Sequence, residues 1–217
     1  ISAQFDVNQL QMDRLLRATG AKELLKADIS LAVRVETRGT DPNELLRNLD
    51  GYAAFDLSAG AIDQPALYAT VGPEVAATLR TWADPLPDIR CVAQRIDFKN
   101  GLGRIKTLVV DTDQFVVAGF GKISLPRRNQ KLVFALTATE ISLLTAADGL
   151  PVNIGGTFQQ PTFSVLQPDD AQALIADVLE LPLAPADLLE QAVGAGPGVR
   201  DGRICEAARA KVQPLSD

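Results

Sequence analysis

Cys91 and Cys205 are the only thiols of this chain, and histidine is absent. Those two facts bound the chemistry. Without imidazole there is no Ser-His-Asp or Cys-His nucleophile, no histidine acid–base step and no His-containing zinc site. Two cysteines are too few for a Cys-only structural zinc site. By position alone the pair reads either as two buried thiols acting as small hydrophobes, or as one disulfide closing a loop of more than a hundred residues. Compartment decides between them.

Carboxylates remain, and no acidic pair stands apart from the rest. Asp111-Thr112-Asp113 has too few regularly spaced oxygens for a calcium loop and reads as a polar turn between strands. Gly119-Phe120-Gly121 superficially suggests a nucleotide loop, yet such a loop lies between a strand and a helix start. Here the glycines fall inside an alternating strand, where they mark a bulge or a close packing of backbone. Arg127-Arg128 with Lys131 reads as a solvated hairpin tip. The residues point to no enzyme active site, no metal and no cofactor.

The elements that carry these residues are mostly strands. Phe5, Val7 and Gln9 alternate with Asp6 and Asn8, and Met12, Leu15 and Leu16 then share a helical face ended by Gly20. Residues 27–63 hold the clearest unit. Ile29, Leu31, Val33 and Val35 point one way and Ser30, Ala32, Arg34 and Glu36 the other, because side chains alternate faces along a strand. Asp41-Pro42-Asn43-Glu44 opens a helix with an N-cap Asp, Pro at the first helical position and an acid in the first turn. Leu45, Leu46 and Leu49 form its apolar stripe, and Gly51 stops it. Residues 52–57 alternate again before a turn at Gly60.

Val71, Val75, Leu79 and Trp82 predict one helix over 70–82, and the prolines at 85 and 87 a loop. From 89 to 142 the pattern is a meander: alternation at Val92–Phe98, the hairpin signal Asn100-Gly101, then strands over 105–110, 115–124 and 132–138 with one polar face. Gly155-Gly156-Thr157-Phe158 and Pro161-Thr162-Phe163-Ser164-Val165 read as two short extended pieces around a turn. After Pro168 the period turns helical, with Ala171, Leu174, Ile175, Val178 and Leu179 aligned. Pro182 and Pro185 break the chain, residues 186–192 resume a helix, 195–198 form a loop, and 202–212 form a weaker helix. The fold class is α+β: a predominantly antiparallel, curved sheet over 1–168, with a helical extension over 169–217 packed on it.

Bulk properties narrow the partners. Hydrophobic residues make up 47% of the 217, and the net charge is −6. That charge disfavours sequence-independent binding to nucleic acid, which needs basic patches to displace counterions. It equally disfavours adsorption to an anionic membrane surface. No apolar run approaches the roughly 20 residues that span a bilayer. The start at Ile1-Ser2-Ala3, without Met, reads as that of a piece of a longer protein.

In order, the segments resemble the C-terminal domain of the AsmA family, large envelope proteins of Gram-negative bacteria. The echoes are Phe5-Asp6-Val7-Asn8, Met12-Asp13-Arg14-Leu15-Leu16, the stretch from Arg38-Gly39-Thr40 through Leu49-Asp50-Gly51, and Asp56-Leu57-Ser58-Ala59-Gly60. They continue with Cys91-Val92-Ala93, Phe98-Lys99-Asn100-Gly101, Asp111-Thr112, Val117-Ala118-Gly119-Phe120-Gly121 and Pro151-Val152-Asn153-Ile154-Gly155-Gly156. The resemblance spans about 5–165. It implies a non-enzymatic periplasmic domain, an inner-membrane anchor upstream, and a part in phospholipid transport between membranes or outer-membrane assembly. Its implied partners are phospholipid acyl chains or other envelope proteins. It also implies an oxidising compartment, and with it a Cys91–Cys205 disulfide. Ile29, Leu31, Val33, Phe115, Val117, Leu132 and Phe134 would line an apolar groove. The ordinary alternative, favoured for this fragment, is that helices at 45–49 and 71–82 cover that same face as a core, as in most α+β domains. The protein would then be a structural or docking module.

Overall fold

The computed structural model describes residues 1–18, 25–82, 84–138, 151–179 and 203–212. Gly20, Pro182, Pro185 and the segments 186–192 and 195–198 lie outside them. Nine strands form one open, curved antiparallel sheet: β1 (Ser2–Gln11), β2 (Leu25–Glu36), β3 (Asp50–Ile62), β4 (Ile89–Lys99), β5 (Leu102–Thr112), β6 (Phe115–Ser124), β7 (Asn129–Ala138), β8 (Pro151–Gly156) and β9 (Pro161–Val165). Each pairs only with its neighbours in sequence, so the order across the sheet is the order along the chain. The described helices are α1 (Met12–Ala18), α2 (Pro42–Arg47), α3 (Gln64–Val71), α4 (Pro73–Trp82), α5 (Pro168–Leu179) and α6 (Arg203–Val212).

Local chemistry sets the connections. Asp41 Oδ1 accepts from the amides of Asn43 (2.8 Å) and Glu44 (3.0 Å), and Glu44 Oε2 reaches back to the Thr40 amide at 2.8 Å. Orphan donors at the start of α2 are thereby satisfied from both sides. Asn100 and Gly101 take φ of 50° and 70°, the left-handed pair that a two-residue hairpin needs to match strand twist. The Gly101 amide donates to Leu49 O at 2.9 Å, and Asp50 Oδ1 accepts from the Asn100 amide at 2.7 Å. The exit of α2 and the β4–β5 tip therefore interlock.

The structure revises several boundaries. Gly51 does not stop α2, which ends at Arg47 with Asn48 as its cap. Gly51 lies in β3 with φ of 133°, where a Cβ would stand 2.1 Å from Arg34 O. Gly60 is not a turn either: it pairs with Ala27 and Ile89 inside β3. The helix expected over 70–82 is two helices. Asp63 caps α3 through the Ala66 amide (2.9 Å), and Gly72, at φ of 83°, separates it from α4. Pro65 falls in the first turn of α3, where its missing amide costs nothing.

The main core lies between α5, α6 and one face of the central strands. Ile175, Ile204, Ala208 and Val212 pack on Ala54, Ala93, Val109, Val116, Ala118, Phe120, Val133 and Ala135, all at most 4% exposed. We call this the helical face. A smaller cluster of Ile29, Leu57, Ile89 and Val92 sits on the other, far face, beside Leu10, Met12 and Leu25.

Candidate functional site

Register decides which side chains share a surface. Phe5, Val33, Ala53, Ile96, Ile105, Gly121, Leu132, Ile154 and Phe163 are consecutive partners across all nine strands. Paired residues point to the same face, so one unbroken apolar row crosses the far face, a span of ~38 Å at ~4.8 Å per strand. The next row belongs to the helical face and is polar: Gln4, Arg34, Tyr52, Asp97, Arg104, Lys122 and Lys131 are partners in turn.

The same registers place all seven candidates, Ile29, Leu31, Val33, Phe115, Val117, Leu132 and Phe134, on the far face. They are not equivalent. Ile29 is 5% exposed and belongs to the small packed cluster. Leu31, Val33, Phe115, Val117, Leu132 and Phe134 are half-buried. Phe5, at 46% exposed, extends the surface to the edge strand. Alternation alone could have added Ile96, Ile105, Ile154 and Phe163, but only pairing shows that they align.

Glycines shape the middle of this face. A Cβ on Gly121 would lie 2.3 Å from Leu132 Cδ2, and one on Gly119 would lie 2.7 Å from Phe134 Cδ1. Leu132 and Phe134 lean over the bare backbone of β6, a close-packing role rather than a phosphate loop.

Neither helix expected over this surface packs extensively on its central strands. α2 caps strand ends, with Leu45 O accepting from Thr37 Oγ1 at 2.6 Å. α4 packs chiefly on α3 and on the edge strand β9. The long helical cover is α5 and α6, on the opposite side.

On the helical face, Cys91 of β4 and Cys205 of α6 form a disulfide 114 residues apart in sequence. Asp111, placed by sequence in a turn, is in β5 and fully buried. It receives Arg90 in a fork, Nη2 to Oδ1 at 2.8 Å and Nε to Oδ2 at 3.1 Å, the geometry in which guanidinium binds carboxylate best. The same Oδ2 lies 3.2 Å from Cys205 Sγ. Because the bridged sulfur carries no proton, this is a sulfur–oxygen contact and not a hydrogen bond. One atom from each of Cys91, Cys205 and Asp111 falls within 4.8 Å of the others, but metal ligation requires thiolates, and both sulfurs are bonded.

The turn itself is built by Thr112, whose Oγ1 accepts from the Phe115 amide at 3.0 Å. Lys131 is not merely a solvated tip: it pairs with Asp177 of α5 at 2.6 Å, and Lys122 Nζ donates to Asp177 O at 2.8 Å. Both lysines border a cleft of about 600 Å³ beside α5. A second cleft of about 770 Å³ lies between α3 and α4, where Arg80 stacks 4.5 Å from the Tyr68 ring centroid. Neither is lined by the seven candidates.

Fold and surface together define an α+β protein with an amphipathic nine-stranded meander, clamped to its last described helix by a disulfide. No family model, no curated protein and no solved structure matches the chain. Among the described residues no helix is long and apolar enough to cross a membrane.

Proposed function

We propose that this chain is a non-enzymatic, periplasmic domain of an AsmA-like envelope protein, attached to the inner membrane through an upstream segment. Its part is phospholipid transport between membranes or outer-membrane assembly, and its far sheet face shelters acyl chains. The observation that carries the reading is the apolar row from Phe5 to Phe163, set back to back with a polar row. Half-buried leucine, valine and phenylalanine on that row offer a hydrocarbon surface with no charge to desolvate. The disulfide supports an oxidising compartment.

A docking module is the second reading, favoured by the packed end of the same face. Ile29, Leu57, Ile89 and Val92 already form ordinary core there, so the face could continue as a protein interface.

Native mass spectrometry and lipid extraction of protein purified from envelope fractions separate the two. Acyl binding predicts co-purifying phospholipid, lost from Val33→Asp and Phe134→Asp variants that keep their circular dichroism and disulfide. Lipid-free wild-type protein would overturn acyl binding and leave docking.

A further inference from the structure

We infer that Asp111 shields the Cys91–Cys205 bridge from thiol–disulfide exchange, making it a permanent clamp on α6 rather than an exchangeable one. The inference does not rest on the lipid reading.

Exchange begins when a thiolate RS⁻ attacks one sulfur of the bridge. A bond forms to that sulfur, the Cys91–Cys205 bond breaks, and its electron pair leaves on the other cysteine as a thiolate. Attack on Cys91 gives RS–S–Cys91 and Cys205–S⁻. Attack on Cys205 gives RS–S–Cys205 and Cys91–S⁻. In the first route the departing charge collects on Cys205 Sγ, 3.2 Å from Asp111 Oδ2. In the second the incoming anion must reach that same sulfur. Like charges at this separation, buried away from water, oppose each other strongly. Both routes therefore meet the carboxylate.

Burial removes the usual escape. Cys91 and Asp111 are fully buried, and Cys205 is 9% exposed, so little solvent screens the charge. Arg90 holds the carboxylate in place through both oxygens and offsets part of its field. Asp111 is thus a positioning residue whose charge acts on the bridge, and Arg90 opposes that effect. The two partners of one ion pair should change the exchange rate in opposite directions.

The test is the rate of reduction by excess dithiothreitol at mildly alkaline pH, followed by acid quench, alkylation and mass measurement. It is run on the full chain under native conditions and again in denaturant. The expected result is that Asp111→Asn is reduced roughly tenfold faster than wild type when folded, the effect of a repulsion equivalent to one pKa unit, and at the wild-type rate when unfolded. Arg90→Gln breaks the same ion pair but keeps the carboxylate, and is expected to be reduced no faster than wild type. Equal rates for wild type and Asp111→Asn would overturn the inference. So would equal acceleration of both variants, which would report only a loosened fold.

Discussion

Asp56 on β3 and Arg209 on α6 meet at 2.6 Å although 153 residues separate them. Arg209 also donates to Leu57 O at 3.2 Å, so its guanidinium spans a carboxylate and a backbone carbonyl of the same strand. Both side chains are about one-third exposed. Together with Ile204, Ala208 and Val212, this pair seats α6 on the helical face.

Arg209→Ala should therefore lower unfolding stability by about 1–2 kcal/mol, since a charge-assisted hydrogen bond and some packing are lost. Discounted for solvent, the pair itself should show a coupling of about 0.5–1 kcal/mol with Asp56→Ala in a double-mutant cycle. Additive single effects in denaturant titrations would show that the contact carries nothing.

Opening the disulfide should cost more. Closing a loop across 114 residues limits the unfolded chain by about 4–5 kcal/mol in the loop-entropy description, and measured values are often smaller. Replacing both cysteines by alanine should lower the denaturation midpoint by a corresponding amount. Under non-reducing, denaturing conditions the wild-type chain should resist alkylation and gain two hydrogens on reduction. Two freely alkylated thiols would contradict the bridge.

Gly101 should tolerate no side chain. At φ of 70° a Cβ would lie 2.1 Å from Leu46 O, where backbone holds α2 against the β4–β5 tip. Gly101→Ala should destabilise by about 2 kcal/mol or more. A thermal or urea transition at the wild-type midpoint would show that the tip moves freely away from α2.

Acid should weaken two surface ties. The Asp50 carboxyl is held below its ordinary value of 3.8, first by Lys99 and then by the Asn100 amide. Lys131 and, more weakly, Lys122 lower that of Asp177. A folded-state value below the unfolded one means stability that is present above pH 3.8 and lost as pH falls through the lowered folded values. Asp50→Asn and Asp177→Asn should each flatten the acid limb of a stability–pH profile. An unchanged slope in both variants would refute the linkage.

Much of this architecture was legible along the chain. Alternation at Ile29–Val35 is strand periodicity with one polar face, Asp41-Pro42 supplies the cap and first-turn residue of a helix, and Asn100-Gly101 can relax into left-handed conformations that other pairs resist. Those are short-range constraints, and the structure kept them. Gly60 misled because a glycine fits a closely packed strand as well as a turn, a choice that depends on what lies across from it.

The sequence by itself therefore determined a strand meander with short helices and no histidine chemistry, since backbone preference and side-chain alternation are local. It could not choose a core. Along β6, Val116, Ala118 and Phe120 on one face are as apolar as Phe115 and Val117 on the other. Only tertiary packing decided that α5 and α6 cover the first set, that Asp111 is buried beside the bridge, and that one apolar row aligns from Phe5 to Phe163. The physical reason is distance along the chain. Helices closing from beyond residue 168, and partners set by register, cannot be read from neighbouring residues.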